Sequence, residues 1–171
     1  MKISNCILAA SLFAVTLSCN LEDEVLVPSN LFGTWESNLF QENMEWGQVI
    51  SYTFHDDGTF EYNSTVQQIF PRKELGFNSK ASGIYTVDGS KVYLIETKYL
   101  SVPQNSSLFI VPLAELEEWE DWYREKEIMV TFKKRGSQMV MIEGCPINAA
   151  CAPPSIFFRE GNIWQSLVKM N

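Results

Sequence analysis

The sequence predicts a mainly β fold: an antiparallel up-and-down β-barrel of about eight strands, with one inserted α-helix. Three observations lead there. Apolar and polar residues alternate in short runs from Gly33 onward, as in Ile50, Tyr52 and Phe54 against Ser51 and Thr53, which is the period of a strand with one buried face. Asp57-Gly58 and Asp88-Gly89 each join two such runs, and Asp-Gly is a strong hairpin turn. An open sheet with this many strands would leave its edges exposed, and closure removes them.

The barrel is preceded by a segment of different character. Met1-Lys2 is a short basic start, Ile7 to Leu17 is an apolar run, and no acid occurs before Glu22. The run is too short for a mature membrane span and reads as a secretory signal over 1–18. Thr16-Leu17-Ser18-Cys19 resembles the end of a bacterial lipoprotein signal, in which small residues precede a cysteine that is diacylated and becomes the new N-terminus. That resemblance implies lipidation of Cys19 with palmitate-type chains and anchoring to a membrane of the cell envelope, the outer membrane being the expected one, facing the periplasm or the surface. The other reading is an ordinary signal with an incidental cysteine. Residues 19–30 form a tether, whose acids Glu22, Asp23 and Glu24 are either a sorting signal or a solvated spacer. The barrel domain occupies 31–171.

Cysteine parity fits the anchor. Of Cys6, Cys19, Cys145 and Cys151, the first leaves with the signal and the second takes lipid. Cys145 and Cys151 then remain to pair, and an odd thiol is unusual in an oxidising compartment. Their spacing is neither redox-like nor zinc-like, so a local disulfide is expected, contributing about 2–2.5 kcal/mol in the chain-entropy model.

Within the domain, Gly33-x-Trp35 opens the first strand, with Trp35 placed to plug one end. Gln48 to Phe54 and Thr59 to Val66 form the first hairpin. Gln67 to Lys80 reads as a looser stretch containing Pro71, Arg72 and Lys73. Gly83 to Val87 and Lys91 to Thr97 form the second hairpin, and Tyr99 to Val111 reads as a loop. Pro112 stands where a helix could begin. Leu113, Leu116, Trp119 and Tyr123 fall near helical spacing, acids fill the first turns, and Arg124 and Lys126 close it; this suits the helix dipole. Strands are then expected at Glu127 to Lys133, Gln138 to Glu143, Ser155 to Arg159 and Ile163 to Val168.

Gly33-x-Trp35, Tyr52-Thr53-Phe54-x-x-Asp57-Gly58-Thr59-Phe60 and Gly83-x-Tyr85-x-Val87-Asp88-Gly89, in that order, resemble the bacterial lipocalin-like domains of the calycin group. The resemblance covers about Leu31 to Glu96. It implies a barrel that often binds small hydrophobic molecules, and an Arg from a late strand set against Trp35, for which Arg135 and Arg159 are the candidates.

Composition narrows the function. A net charge of −8, becoming −9 once Lys2 leaves with the signal, argues against a nucleic-acid partner, because phosphate binding needs concentrated Lys and Arg. His55-Asp56-Asp57 holds the single histidine. It lacks the convergent ligands of a metal site, so no metal or cofactor is expected and the two acids are read as turn formers. No nucleophile elbow, Walker or dinucleotide signature occurs, and the carboxylates from Glu115 to Asp121 read as a solvated face. The chain is therefore read as a binding protein rather than an enzyme. Lys133-Lys134-Arg135 is a basic cluster that could meet an anionic head group or simply form a charged turn.

Two binding readings follow. In the first, a small hydrophobic or amphipathic ligand lies inside the barrel against Tyr52, Phe54, Phe60, Tyr62 and Tyr85, with the helix as a lid and Trp119 or Trp122 facing the cavity. In the second, the barrel is filled and loops 67–80 and 99–111 contact a partner, as in an adhesin or an inhibitor; for the helix itself, the alternative to a lid is a place on the barrel's outer wall, unrelated to any ligand. A lined cavity favours the first reading. A packed barrel with exposed loop aromatics favours the second.

Overall fold

The computed structural model describes residues 26–39, 45–133, 136–144 and 153–159. They form β1 (Gly33–Leu39), β2 (Trp46–Phe54), β3 (Thr59–Gln68), β4 (Lys73–Asp88), β5 (Lys91–Ser101), a two-residue β6 (Glu117–Glu118), β7 (Arg124–Lys133), β8 (Gln138–Glu143) and β9 (Ser155–Arg159). Every pairing is antiparallel, and, β6 apart, each strand lies beside its neighbours in sequence. The order β4-β3-β2-β1-β9-β8-β7-β5 is closed by the β4–β5 pairing. The result is an eight-stranded antiparallel barrel, with β6 appended to the end of β5.

The register explains the interior. Trp35 stands opposite Tyr52, Tyr52 opposite Tyr62, and Tyr62 opposite Ala81; directly opposed residues share a face. The alternation continues through Leu94, Val130, Met139 and Phe157, all buried. Tyr52, Phe54, Phe60 and Tyr85 lie in this core, and Ile50 and Tyr62 pack against it.

One end is closed by the segment before β1. A short helix, α1 (Pro28–Leu31), brings Leu31 over Trp35, whose indole N–H donates to the Leu31 carbonyl at 2.7 Å. The Arg159 guanidinium lies 4.6 Å from the Trp35 ring centre and donates to the carbonyls of Phe32 and Asn30 at 3.1 and 3.0 Å. Arg159 thus takes the position the resemblance implied; Arg135 lies outside the described residues. Gly33 has φ +106, and a Cβ there would come within 3.5 Å of Arg159 Nη1, so the chain can turn closely under the guanidinium only with glycine's freedom.

The predicted helix from Pro112 to about Glu127 is not formed. Leu113–Glu115 make one 3₁₀ turn, Glu117–Glu118 pair with β5, Asp121 adopts a left-handed φ of 53, and β7 already begins at Arg124. Neither version of the lid, over the mouth or on the wall, exists as a helix. The loose stretch 67–80 is also mostly strand. Only a turn at 69–72 separates β3 from the 16-residue β4. Tyr99 to Ser101 likewise belong to β5.

The long β4 is bent by bulges facing Ser64/Thr65 and Val66/Gln67, and by a shift at Ser82/Gly83 that leaves Thr97 unpaired. An added Cβ at Gly83 would meet the Ile95 carbonyl oxygen at 1.9 Å, so the shift depends on the missing side chain. Beyond it, Tyr99 and Ser101 fall on the inward face, opposite Ala81 and Ser79. The predicted strand at 163–168 lies outside the described residues.

Candidate functional site

Tyr52, Phe54, Phe60, Tyr62 and Tyr85 are brought together as expected, but they fill space rather than line it. Tyr52 stacks against Phe54 at 6.0 Å and meets Tyr62 and Phe157 at 5.1 and 5.6 Å; Tyr85 meets Phe54 edge-on at 5.1 Å. The Tyr85 hydroxyl donates to the His55 carbonyl at 2.8 Å, and the Tyr62 hydroxyl lies beside Ser64 and Ser79. Neither of two concavities among the described residues, of about 350 and 340 Å³, is lined by any of these five side chains.

Burial pushes the Tyr52 phenol well above its ordinary pKa, with Tyr62 and the carboxylates of Glu96 and Glu143 adding to the effect. Tyr62 is raised for the same first reason. The neutral phenol is therefore the folded form. Stability is intact below the unfolded value of about 10 and falls as pH rises above it, by about 1.4 kcal/mol per pH unit per phenol held neutral. A circular-dichroism titration from pH 8 to 12 should show alkaline unfolding that Tyr52→Phe moves to higher pH. An unchanged midpoint in that variant would contradict the assignment.

At the end of the barrel opposite Trp35, the 102–123 connection folds over the mouth. Trp122 stacks on Tyr99 at 4.4 Å, and Trp119 meets both rings edge-on. The Trp119 indole donates to Ser101 Oγ at 2.8 Å and the Trp122 indole to Glu96 Oε2 at 3.2 Å. Glu96 lies on the inward row after Val92 and Leu94 and is 2% exposed. Its other oxygen takes the ammonium of Lys126, which also lies 5.9 Å from the Tyr62 ring centre. The two tryptophans therefore form a loop stack above a buried ion pair. Periodicity missed Glu96 and Lys126, although their parity with Leu94 and Ile128 was a usable signal.

The outer wall carries a second group. Register aligns Glu36, Ser51, Asn63 and Lys80 across β1 to β4. Val111 pairs with Phe77 and draws the connection against that wall, while Arg72 reaches over from the β3–β4 turn. Beneath them, Glu36, Val49, Thr65 and Gln67 are buried on what should be a solvent face. A hydrogen-bond chain runs from Thr65 through Gln67 and Arg72 Nε to the Arg72–Glu36 pair at 2.7 Å.

His55 and Asp57 behave as turn residues. Asp57 Oδ1 accepts from the Thr59 N–H and hydroxyl at 2.9 and 2.6 Å, which holds its carboxyl below the usual range. Among the described residues no three His, Cys, Asp or Glu side chains gather as metal ligands, and no helix is long and apolar enough to cross a membrane. Cys19, Cys145, Cys151 and Lys134 lie outside the described residues.

The molecule is a closed antiparallel barrel with an aromatic-filled interior, an indole-capped mouth and a polar groove on its outer wall. No family model matches the chain, and neither a curated protein nor a solved structure matches it.

Proposed function

We propose that this protein is an envelope lipoprotein, anchored through Cys19, whose barrel is a filled scaffold for binding a partner at the cell surface through its loops. One observation carries the reading. The interior is packed with rings, while large apolar side chains stand exposed on the connections at the Trp122 end: Phe70 at 72%, Phe109 at 63% and Leu108 at 61%. Apolar side chains displayed on loops, above a core that needs none of them, fit a recognition surface. The anchor would hold that surface outward on a tether.

The test compares the lipidated protein with a Phe70→Ser, Leu108→Ser, Phe109→Ser variant, measuring adhesion of protein-bearing vesicles to envelope fractions and host-type surfaces. Aromatic anchors dominate such interfaces, so at least tenfold weaker adhesion is expected with an unchanged Tm. Cys19→Ala should remove the protein from the vesicles. Equal adhesion by parent and triple variant would refute the loop surface.

The second reading, a small hydrophobic or amphipathic ligand inside the barrel, is favoured by the Trp119–Trp122–Tyr99 stack, which is a cap that ligand entry would part. Native mass spectrometry with lipid extracts separates the two. A stoichiometric lipid adduct that also shifts indole emission would support the interior ligand, and the bare mass supports the scaffold.

A further inference from the structure

The geometry points to a binding site for a neutral saccharide in the groove on the outer wall of β1–β4, centred on Glu36. This site is independent of the loop surface proposed above, because it uses none of Phe70, Leu108 or Phe109.

The starting observation is an unsatisfied atom. Glu36 is 5% exposed, and its Oε1 is held by Arg72 at 2.7 Å. Its Oε2 is buried and has no hydrogen-bond partner. A buried acceptor left without a donor costs about 1–3 kcal/mol, and such atoms call for a partner that the chain itself does not supply. Glu36 lines a concavity of about 340 Å³, within the usual range for small-molecule sites.

The lining defines the class of ligand. Arg72 is paired with Glu36 and Lys80 with Glu61, and Glu74 is exposed to solvent, so both cations of the lining are already engaged and the groove does not select an anion. The remaining polar groups are hydroxyls and amides, among them Ser51 and Asn63 on the same row as Glu36, able both to donate and to accept. Phe77 and Leu113 add an apolar side. A sugar ring meets each requirement: hydroxyls that donate to Glu36 Oε2 and accept from the wall, no charge, and a C–H face to lie on Phe77. An extended peptide fits less well. The wall is the face of a sheet whose backbone groups are already engaged in the barrel ladders, so it offers no free edge for strand addition.

The test is saturation-transfer NMR on the mature protein with glucose, galactose and N-acetylglucosamine, with glucuronate as a charged control and tetra-alanine amide as a peptide control. At least one neutral sugar should receive saturation and out-compete glucuronate. Glu36→Gln replaces half of the carboxylate's acceptor capacity with a donor and should raise Kd at least tenfold. Ser51→Trp, which fills the groove from a half-exposed position and leaves Glu36 and Arg72 in place, should abolish the signal while the far-UV spectrum is retained. The proposal is overturned if no neutral sugar binds, in which case Oε2 is met only by water. It is equally overturned if the peptide alone binds, or if binding survives Ser51→Trp.

Discussion

Trp35→Ala is expected to lower the unfolding free energy by about 3–5 kcal/mol, the range for removing a large aromatic from a packed core. Trp35 is completely buried and packs on Phe132 at 5.4 Å. Its indole N–H satisfies the Leu31 carbonyl, and its face carries the Arg159 guanidinium. Alanine removes three things at once: ring volume, a buried donor, and the surface that orients Arg159 across the ends of β1 and β9. Against a total stability of about 5–15 kcal/mol for a domain, that is a large share. Urea unfolding followed by circular dichroism should place the Trp35→Ala midpoint far below that of Trp35→Phe. The phenyl variant keeps most of the packing and loses chiefly the hydrogen bond, about 1 kcal/mol. Coincident midpoints for the two variants would show that Trp35 is not the plug of that end.

Lys126→Met should cost a similar amount, about 3–5 kcal/mol, for an electrostatic reason. The Glu96 side chain is 3% exposed and that of Lys126 14%. Removing the ammonium leaves a buried carboxylate with the Trp122 indole as its remaining hydrogen-bond donor, and an uncompensated buried charge is far more costly than the pair it came from. The double variant Glu96→Gln, Lys126→Met removes both charges and should recover most of the loss. A double-mutant cycle from urea midpoints measures that coupling. Losses that simply add would mean the pair is solvated, and the mouth of the barrel more open than its burial indicates.

The strands that were legible in the sequence are those whose inward residues are apolar and whose turns are Asp-Gly. In β2 and β3, Ile50, Tyr52, Phe54 and Phe60 display the period directly. Two other strands hid theirs. β7 begins with Arg124 and Lys126 on the inward row, facing Glu96 and Leu94, so its first half lacks apolar alternation and resembles the basic end of a helix. The early part of β4 turns Gly76, Ser79 and Ala81 inward across bulges, which breaks the period twice with small residues. The spurious helix arose from Leu113, Leu116, Trp119 and Tyr123. Their spacing is helical by coincidence, since a 3₁₀ turn, a two-residue strand and a left-handed Asp121 lie between them.

The candidate sites divide along the same line. The aromatic interior was visible because each strand carries its own pattern. Glu36 was not, because an acid on the outward row of a strand normally faces water. Its burial depends on Arg72, which reaches over from the β3–β4 turn, and on the Val111–Leu113 segment, which the Phe77–Val111 pairing holds against the wall; both are distant from it in sequence.

The 102–123 connection leaves the barrel between two strands that are already neighbours. β5 and β7 pair directly from Lys91 opposite Met129 to Glu96 opposite Arg124. The segment is therefore a detour within a single hairpin: the β5–β7 pairing over Lys91–Glu96 closes the wall beneath it, and its β6 extends β5 only at Leu100 and Ser101. A lineage carrying this chain can lengthen, shorten or exchange the detour while keeping the closure intact. The proposed recognition surface at Leu108 and Phe109 can then change without disturbing the plugged end around Trp35.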